Sequence, residues 1–186
     1  MLHHHDHRWL LPLLLWLSAC STVPPTTNTV LPTQCIGSLP AVPVGLTATT
    51  DAFLLQQALG RPGDGKLCQG QVLVAKAPLL LYRVWDRSKP SSLYGSWWSF
   101  AHPGNHREQY RRDNVICPQW SALDIVSVCQ VKIGSHLVLG TGQSAICPDN
   151  SSLPASAVHQ VYLPNNLQQQ LIQVEHCSPG QSWPEP

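Results

Sequence analysis

A single arginine lies inside an apolar run that has the composition of a β-strand. Residues 79–85 read LLLYRVW, and Leu81 and Trp85 flank Arg83 along one predicted strand face. A guanidinium has five N–H donors in a fixed planar arrangement that suits phosphate oxygens, so this position could bind a phosphate-bearing ligand. The alternative is an ion pair with Asp86 or Asp113. The run itself leaves both interpretations open.

Aromatic and polar residues follow this arginine. Residues 94–100 read YGSWWSF, a second β-rich segment that contains Trp97, Trp98 and Ser99. Indole faces can stack on a planar ring, and a serine hydroxyl can donate or accept a hydrogen bond. Alternatively, these tryptophans and Trp120 pack in the core and Ser99 is a solvated strand position. Residues 103–120 add three more cationic side chains, Arg107, Arg111 and Arg112.

Other catalytic arrangements find little support in the sequence. The serines that follow glycines, in GTGQS and PGQS, do not form Gly-x-Ser-x-Gly. Residues 60–66 read GRPGDGK but lack the Gly-Lys-Ser/Thr ending of a phosphate-binding loop, so we expect a surface loop there. No cysteine pair has zinc-ligand spacing, and His102 and His106 alone are too few for a zinc site. We expect no metal.

The hydrophobic pattern predicts several strands and one or two short helices. Residues 50–60 contain a capping residue, apolar positions at helical spacing and a final glycine, which predict a helix. Residues 165–174 predict a strand or a short helix. The β-rich runs cover residues 71–78, 79–85, 94–100, 124–134, 136–142 and 157–164. We expect a mainly β fold of the α+β class, with two small packed sheets.

The amino-terminal residues resemble a bacterial lipoprotein signal. Arg8 precedes the apolar residues 9–17, a run too short to span a bilayer. The segment Leu17-Ser18-Ala19-Cys20 resembles a lipobox, which implies removal of residues 1–19 and acylation of Cys20; ordinary signal cleavage is the alternative. Residues 20–34 are rich in Ser, Thr and Pro and predict a tether, and residues 35–180 predict a single globular domain.

The number of cysteines is odd, and a lipidated Cys20 would explain it. Seven cysteines occur, so an acylated Cys20 leaves an even set in an exported chain. We therefore predict three disulfides that support the fold. Their pairing stays open, because sequence cannot choose among the combinations of Cys35, Cys68, Cys117, Cys129, Cys147 and Cys177.

The charge balance argues against a function that requires a strongly charged surface. The chain has 11 Lys plus Arg against 10 Asp plus Glu, for a formal net charge of +1. Such a balance produces no field that would draw nucleic acid, so we expect no nucleic-acid partner. Contact with a membrane is expected through the lipid on Cys20.

The order of the segments resembles the ADP-ribosyltransferase-like superfamily of NAD-cleaving toxins. Tyr82-Arg83 lies on a first strand, Gly95-x-Trp97-Trp98-Ser99 on a second, VKIGSHLVLGTG follows, and HQVYLP comes last, all within residues 71–165. More narrowly, this order is similar to that of NAD glycohydrolases related to the tuberculosis necrotizing toxin. The resemblance implies an ADP-ribosyltransferase-like fold with NAD as substrate and without a further cofactor.

The resemblance also implies roles for individual residues. Arg83 would hold the NAD phosphates, Ser99 would support the site, and Gln160 would bind the nicotinamide ribose. Tyr82, Trp97 and Trp98 would contact the substrate, and a second phosphate would be bound by Arg107, Arg111 or Arg112. Transferases of the superfamily usually carry glutamate at the position of Gln160, often with Gln or Glu two residues earlier, where Val158 stands. Hydrolysis by water is therefore expected rather than transfer to a protein.

Two functions remain open from the sequence. The first is an exported, lipid-anchored enzyme that cleaves NAD. The second is a non-catalytic envelope lipoprotein that binds a protein of a secretion or envelope apparatus through its tryptophans and residues 110–113. Ser21 is not an inner-membrane retention aspartate, so the outer membrane is the expected location. The enzyme requires Arg83, Trp98, Ser99 and Gln160 to line one cleft, whereas the binding module does not.

Overall fold

A computed structural model describes residues 34–184 of the chain. The predicted signal peptide, the predicted lipidation site Cys20 and the predicted tether as far as residue 33 lie outside the described residues. Within the described part, no helix combines the length and hydropathy needed to cross a bilayer.

Strands dominate the described residues, and the two α-helices are short. In chain order the elements are β1 (Leu46–Ala48), α1 (Ala52–Ala58), β2 (Leu67–Ala75), β3 (Leu80–Trp85), a 3₁₀-helix (Pro90–Tyr94), β4 (Trp97–Trp98), α2 (Arg107–Asp113), β5 (Ile125–Val131), β6 (His136–Gly142), β7 (Ala145–Ile146), β8 (Ser152–Leu153), β9 (Ser156–Tyr162), β10 (Val174–Glu175) and β11 (Gln181–Ser182). The expected α+β, mainly β class is confirmed.

The strands form two principal antiparallel sheets. The first sheet has the order β1-β2-β6-β9-β4. In the second sheet, β5 pairs with β3 along one edge and with β10 and β11 along the other. A separate pair joins β7 to β8. The two principal sheets are linked where the backbones of Tyr82 and Ser99 exchange hydrogen bonds of 2.8 and 3.0 Å.

The core lies between these two sheets. Successive residues of a strand point to opposite faces, so Leu73 and Leu139 of the first sheet face Leu81 and Val131 of the second. The opposite face of the first sheet packs against α1 instead. Both faces of the central strands β2 and β6 are therefore covered, which explains the continuous apolar runs at residues 72–75 and 137–139.

Helix α1 confirms the helix predicted at residues 50–60. The side chain of Asp51 caps it by accepting a 2.9 Å hydrogen bond from the backbone N–H of Leu54. Leu54 and Ala58 are buried on its inner face, while Phe53 is 71% exposed. The helix has a packing role.

Three disulfides connect distant parts of the chain, as predicted. They join Cys35 to Cys68, Cys117 to Cys147 and Cys129 to Cys177. The first ties the start of the described residues to β2, and the second ties the segment after α2 to the end of β7. The third joins β5 to the segment between β10 and β11. This pairing is the information that the sequence could not supply.

Two sequence predictions differ from the structure. The strand expected at residues 94–100 is only the two-residue β4, because the 3₁₀-helix that Pro90 begins continues to Tyr94. Residues 165–174 form neither a long strand nor a helix, because Asn166 and Leu171 close a turn with backbone hydrogen bonds of 2.7 and 2.9 Å. Ordered contacts also continue beyond residue 180, where Trp183 is buried.

Candidate functional site

Arg83 lies on the face of β3 that points between the two sheets. It pairs across the ladder with Ser127 and shares its face with the buried Leu81. Its Nε donates a 2.6 Å hydrogen bond to the carbonyl of Ser92, and its Nη1 donates to the carbonyl of Trp97. Two backbone carbonyls thus fix the guanidinium, and Nη2 has no acceptor among residues 34–184.

The ion pair considered for Arg83 does not form. Asp86 accepts hydrogen bonds from Ser88 and Ala122 and lies 3.7 Å from the ammonium of Lys89. Asp113 accepts a 2.6 Å hydrogen bond from Gln109. No carboxylate of the described residues comes within 4 Å of the Arg83 guanidinium. Its charge therefore remains available to a ligand.

Gly95 and Trp98 shape the space around this guanidinium. A Cβ at Gly95 would lie 2.0 Å from Nη2 of Arg83, so only glycine leaves room for the side chain. The guanidinium carbon lies 5.6 Å from the centre of the Trp98 ring, within the range of a cation–π contact. The indole N–H of Trp98 donates a 2.8 Å hydrogen bond to the carbonyl of Gly95, which fixes the ring.

Arg83 and Gln160 line the same cavity, which we call the inter-sheet cavity. It has a volume of about 190 Å³ and is lined by residues of both principal sheets, from β3, β4 and β9, together with residues of α2 and of the segment that follows it. Within residues 34–184, Arg83 is the one charged residue of this lining. The full lining consists of Gly65, Arg83, Val84, Trp97, Trp98, Tyr110, Asn114, Val115, Ile116, Trp120, Ser121, Leu123 and Gln160.

Gln160 is buried without a side-chain partner in the described part of the chain. The residue is 4% exposed, and its Nε2 has no hydrogen-bond partner there. A Cβ at Gly142 would lie 2.8 Å from this Nε2, so the glycine in the neighbouring strand β6 leaves room for the Gln160 side chain in its present position. Leaving a buried donor unpaired costs about 1–3 kcal/mol. Folding stability alone does not account for a glutamine at this position.

Helix α2 and its C-cap residue Asn114 supply two cavity residues that no sequence pattern indicated as part of the site. Tyr110 and Asn114 are four positions apart, so they share one face of the helical turn, and both line the cavity. The side-chain amide of Asn114 donates a 3.0 Å hydrogen bond to the carbonyl of Tyr110, and the Tyr110 ring packs edge-on against Trp183 at 5.2 Å. Their spacing of four residues in the sequence could have indicated that Tyr110 and Asn114 point to the same side.

The electrostatics of the cavity combine one cation with a neutral phenol. Burial lowers the pKa of Arg83 to about 10, and the nearby Tyr110 acts in the opposite direction. Burial raises the pKa of Tyr110 to about 12, and Arg83 acts against that rise. At neutral pH the guanidinium is therefore protonated and the phenol is uncharged.

None of the three arginines of α2 lines the cavity. Arg107 donates 3.0 Å hydrogen bonds to the carbonyls of Leu123 and Trp183. Arg111 is 7% exposed and donates to the carbonyls of Cys117, Ser121 and Ala122. Arg112 is exposed and donates to the side chain of Gln109. Arg107 and Arg111 thus hold the cavity wall in place rather than contact its interior.

Tyr82 and Ser99 also lie outside the cavity. Their backbones form the link between the sheets, and the Ser99 hydroxyl accepts a 3.0 Å hydrogen bond from the N–H of Ala101. The Tyr82 ring packs edge-on against His102 at 5.2 Å. Of the residues singled out from the sequence, the structure brings together Arg83, Trp97, Trp98 and Gln160.

Trp120 and Gly65 form a further part of the cavity wall. Trp120 is 40% exposed, and a Cβ at Gly65 would lie 2.6 Å from its ring, so the indole packs directly on the glycine backbone. Gly65 adopts φ +68°, a conformation that glycine favours. Residues 60–66, which were expected to form only a surface loop, thus contribute to the wall of the inter-sheet cavity.

Comparison with known proteins does not assign a family. No protein-family model matches the chain, and no curated protein is significantly similar to it. The solved structure of Tne2 in complex with Tni2 aligns with a TM-score of 0.47 and 11% identity, over 62% of this chain and 93% of that chain. The fold defines a disulfide-supported α+β domain, and Arg83 and Gln160 line one of its cavities.

Proposed function

We propose that the protein binds NAD in the inter-sheet cavity and hydrolyses the bond between nicotinamide and ribose. One observation carries this proposal: an arginine without a carboxylate partner and a buried glutamine without a side-chain partner, among the described residues, converge on a single aromatic-walled cavity. An anion would satisfy the first residue, and a hydroxyl-bearing or amide-bearing ligand would satisfy the second.

The size of the cavity suits the nicotinamide end of the dinucleotide. An engineered cavity of about 150 Å³ accepts benzene, so the inter-sheet cavity has room for one six-membered ring. The rings of Trp98 and Tyr110 offer apolar faces to such a ring. A ribose beyond the ring would then lie near Gln160, and the adjacent phosphate would accept hydrogen bonds from Nη2 of Arg83.

The reaction requires little acid–base chemistry. When the bond between C1′ and the pyridinium nitrogen breaks, the electron pair goes to the nitrogen and nicotinamide leaves as a neutral molecule. The ribose becomes oxocarbenium-like, a water oxygen bonds to C1′, and that water releases one proton. In this scheme the Gln160 side chain positions the ribose by hydrogen bonding, and Arg83 fixes the phosphate, so that orientation and charge stabilisation provide the catalysis.

The proposal includes export and lipid anchoring. Three disulfides are typical of a chain that folds in an oxidising compartment, which is consistent with an exported protein. We propose that the acylated Cys20 holds the domain at the outer membrane, with the segment up to Cys35 as its tether.

The test is release of nicotinamide from NAD by the purified, oxidised domain. We expect turnover by the wild-type protein and a loss of about 100-fold or more in kcat/KM for Gln160→Ala and for Arg83→Gln, comparable to removal of one transition-state hydrogen-bond donor. Ser99→Ala and Arg112→Gln are the matched controls, because both residues lie outside the cavity, and they should retain wild-type turnover. Absence of turnover with all disulfides formed would refute the proposal.

A protein-binding function is the second candidate, and exposed apolar residues beside the cavity favour it. Trp120 is 40% exposed and Ile146 is 54% exposed, and both border the loop that carries Gly65. Exposed aromatic residues next to aliphatic ones are typical of protein interfaces. If the folded domain turned over no NAD while Trp120→Ala abolished binding to an envelope protein, this second function would replace the first.

A further inference from the structure

The inter-sheet cavity has the means to bind one phosphate but not two. Among residues 34–184, its lining contains a single cationic residue, Arg83. Of the five N–H donors of the guanidinium, one on Nε and one on Nη1 are bonded to carbonyls, so those that remain are on Nη2 and Nη1. These neighbouring donors suit one phosphate group.

The arginines of α2 that could bind a second phosphate are committed to other contacts. Arg107 donates to the backbone carbonyls of Leu123 and Trp183, and Arg111 donates to those of Cys117, Ser121 and Ala122. Moving either side chain to a ligand would leave those carbonyls unpaired, and that cost would offset the new hydrogen bonds to phosphate. Arg112 lies on the exposed side of α2, in a surface depression lined by His106, Glu108 and Gln109.

The volume of the cavity leads to the same conclusion. Sites that enclose a drug-sized ligand usually measure about 300–1,000 Å³. At about 190 Å³, the inter-sheet cavity can enclose one ring and the group next to it, but not a second ring system. An adenine at the far end of a dinucleotide would lie outside it.

We infer that the site recognises the nicotinamide mononucleotide half of its substrate, and that the adenylate half makes no specific contact. The inference rests on the proposed function, and it departs from the expectation that a second arginine binds the pyrophosphate. The substrate class is then any N-ribosyl nicotinamide 5′-phosphate, free or esterified. With the free mononucleotide, water replaces nicotinamide at C1′, and the products are neutral nicotinamide, ribose 5-phosphate and one proton.

The kinetic test compares NAD with nicotinamide mononucleotide by nicotinamide release. We expect the two kcat/KM values of the wild-type protein to agree within about 10-fold, because the adenylate lies outside the cavity. Removal of the phosphate should have a larger effect. We expect kcat/KM for nicotinamide riboside to be about 10-fold to 100-fold below that for the mononucleotide, which corresponds to the loss of a hydrogen bond to a charged group. A mononucleotide value more than about 1,000-fold below that of NAD would overturn the inference.

Direct binding separates this inference from the proposed reaction. Titrations of the oxidised wild-type domain would monitor the indole N–H signals of the tryptophans by NMR, with nicotinamide mononucleotide and AMP as probes. We expect the mononucleotide to shift the Trp98 signal and AMP to leave it unchanged. Arg83→Gln should weaken mononucleotide binding by about 10-fold or more, whereas Arg112→Gln should not. Mononucleotide binding without turnover would refute only the proposed reaction; AMP binding at Trp98, or no mononucleotide binding, would refute the inference.

Discussion

Arg83 is fixed by carbonyl oxygens instead of a carboxylate, and its positive charge therefore remains uncompensated. Burying an unpaired cation lowers stability, which is the same physical effect that lowers the pKa of Arg83 to about 10. Gln160 adds a second unfavourable group, its Nε2, which is unpaired within the described residues. Two such residues in one cavity are typical of a binding site, where a ligand supplies the missing partners.

The glycine beside Arg83 provides a direct test of this geometry. Gly95 has φ −70°, which any residue can adopt, so Gly95→Ala introduces no backbone strain. The new Cβ would lie 2.0 Å from Nη2, and the guanidinium would have to leave its position. We expect a loss of about 1–3 kcal/mol in the free energy of unfolding, measured by denaturant titration, together with loss of ligand binding.

A double variant identifies the source of that loss. In Arg83→Ala/Gly95→Ala the clashing side chain is absent, so adding Gly95→Ala to Arg83→Ala should cost less than about 0.5 kcal/mol. Equal costs of Gly95→Ala in both backgrounds would mean that the glycine serves another purpose.

Tyr110 and Arg83 should influence stability oppositely at alkaline pH. Folding raises the pKa of Tyr110 from 10.0 to about 12, so the stability it contributes is present below pH 10 and is lost as pH rises toward 12. Folding lowers the pKa of Arg83 to about 10, so the folded protein becomes more stable as the pH rises above 10, where the buried guanidinium loses its proton. Tyr110→Phe retains the arginine and removes the phenol.

We therefore expect the wild-type protein to lose more free energy of unfolding than Tyr110→Phe between about pH 9 and about pH 11. Urea titration of both proteins at several pH values measures the difference. Parallel pH profiles would show that Tyr110 titrates normally.

At the scale of elements, the sequence predicted where the long strands lie along the chain, but not which strands pair with one another. The strands β2, β3, β5, β6 and β9 were predicted, because β-rich segments mark them and, in β5, apolar residues alternate with other residues. The order of these strands in the sheets could not be predicted, because β3 pairs with the distant β5 and β9 lies between β6 and β4. The convergence of Arg83 and Gln160 depends on that order, so the resemblance, rather than periodicity, pointed to it.

The segment between α2 and β5 depends on a disulfide for its position on the cavity. Cys117 and Cys147 are both buried, and the segment around Cys117 carries the lining residues Val115, Ile116 and Trp120. For Cys117→Ser/Cys147→Ser we expect a loss of about 2–4 kcal/mol in the free energy of unfolding and weaker ligand binding, because this wall loosens.

The disulfide between Cys35 and Cys68 offers a matched control. It closes a loop of similar length, with a sequence separation of 33 against 30, but neither cysteine lines the cavity. Cys35→Ser/Cys68→Ser should lose a similar free energy of unfolding while it retains ligand affinity in the native state. Equal loss of affinity in both variants would contradict a local role for the Cys117–Cys147 bond.

At the scale of the whole molecule, the predicted anchor and the disulfides together account for every cysteine. Six cysteines are paired in the described residues, and Cys20 is the seventh. The even number of cysteines that remains after Cys20 was sufficient to predict three disulfides. The cavity could not be predicted in this way, because residues from both sheets form it and no local sequence pattern shows how the sheets pack.

Lipidation of Cys20 can be tested in a bacterial host that processes lipoproteins. The wild-type chain should incorporate labelled fatty acid and fractionate with membranes, because acylation at Cys20 anchors it. Cys20→Ser should lose both properties, and Ser21→Ala should keep them. Fatty-acid labelling that persists in Cys20→Ser would show that the anchor is elsewhere.

The order of the cysteines along the chain has a consequence for biogenesis. Cys129 lies between Cys117 and Cys147, and its own partner is the more distant Cys177, so these two bonds interlock along the sequence. A chain that enters an oxidising compartment amino end first would expose the thiols of Cys117 and Cys129 together, before either native partner arrives. Bonds made in order of emergence would then be wrong, and the cell would need a thiol isomerase to correct them.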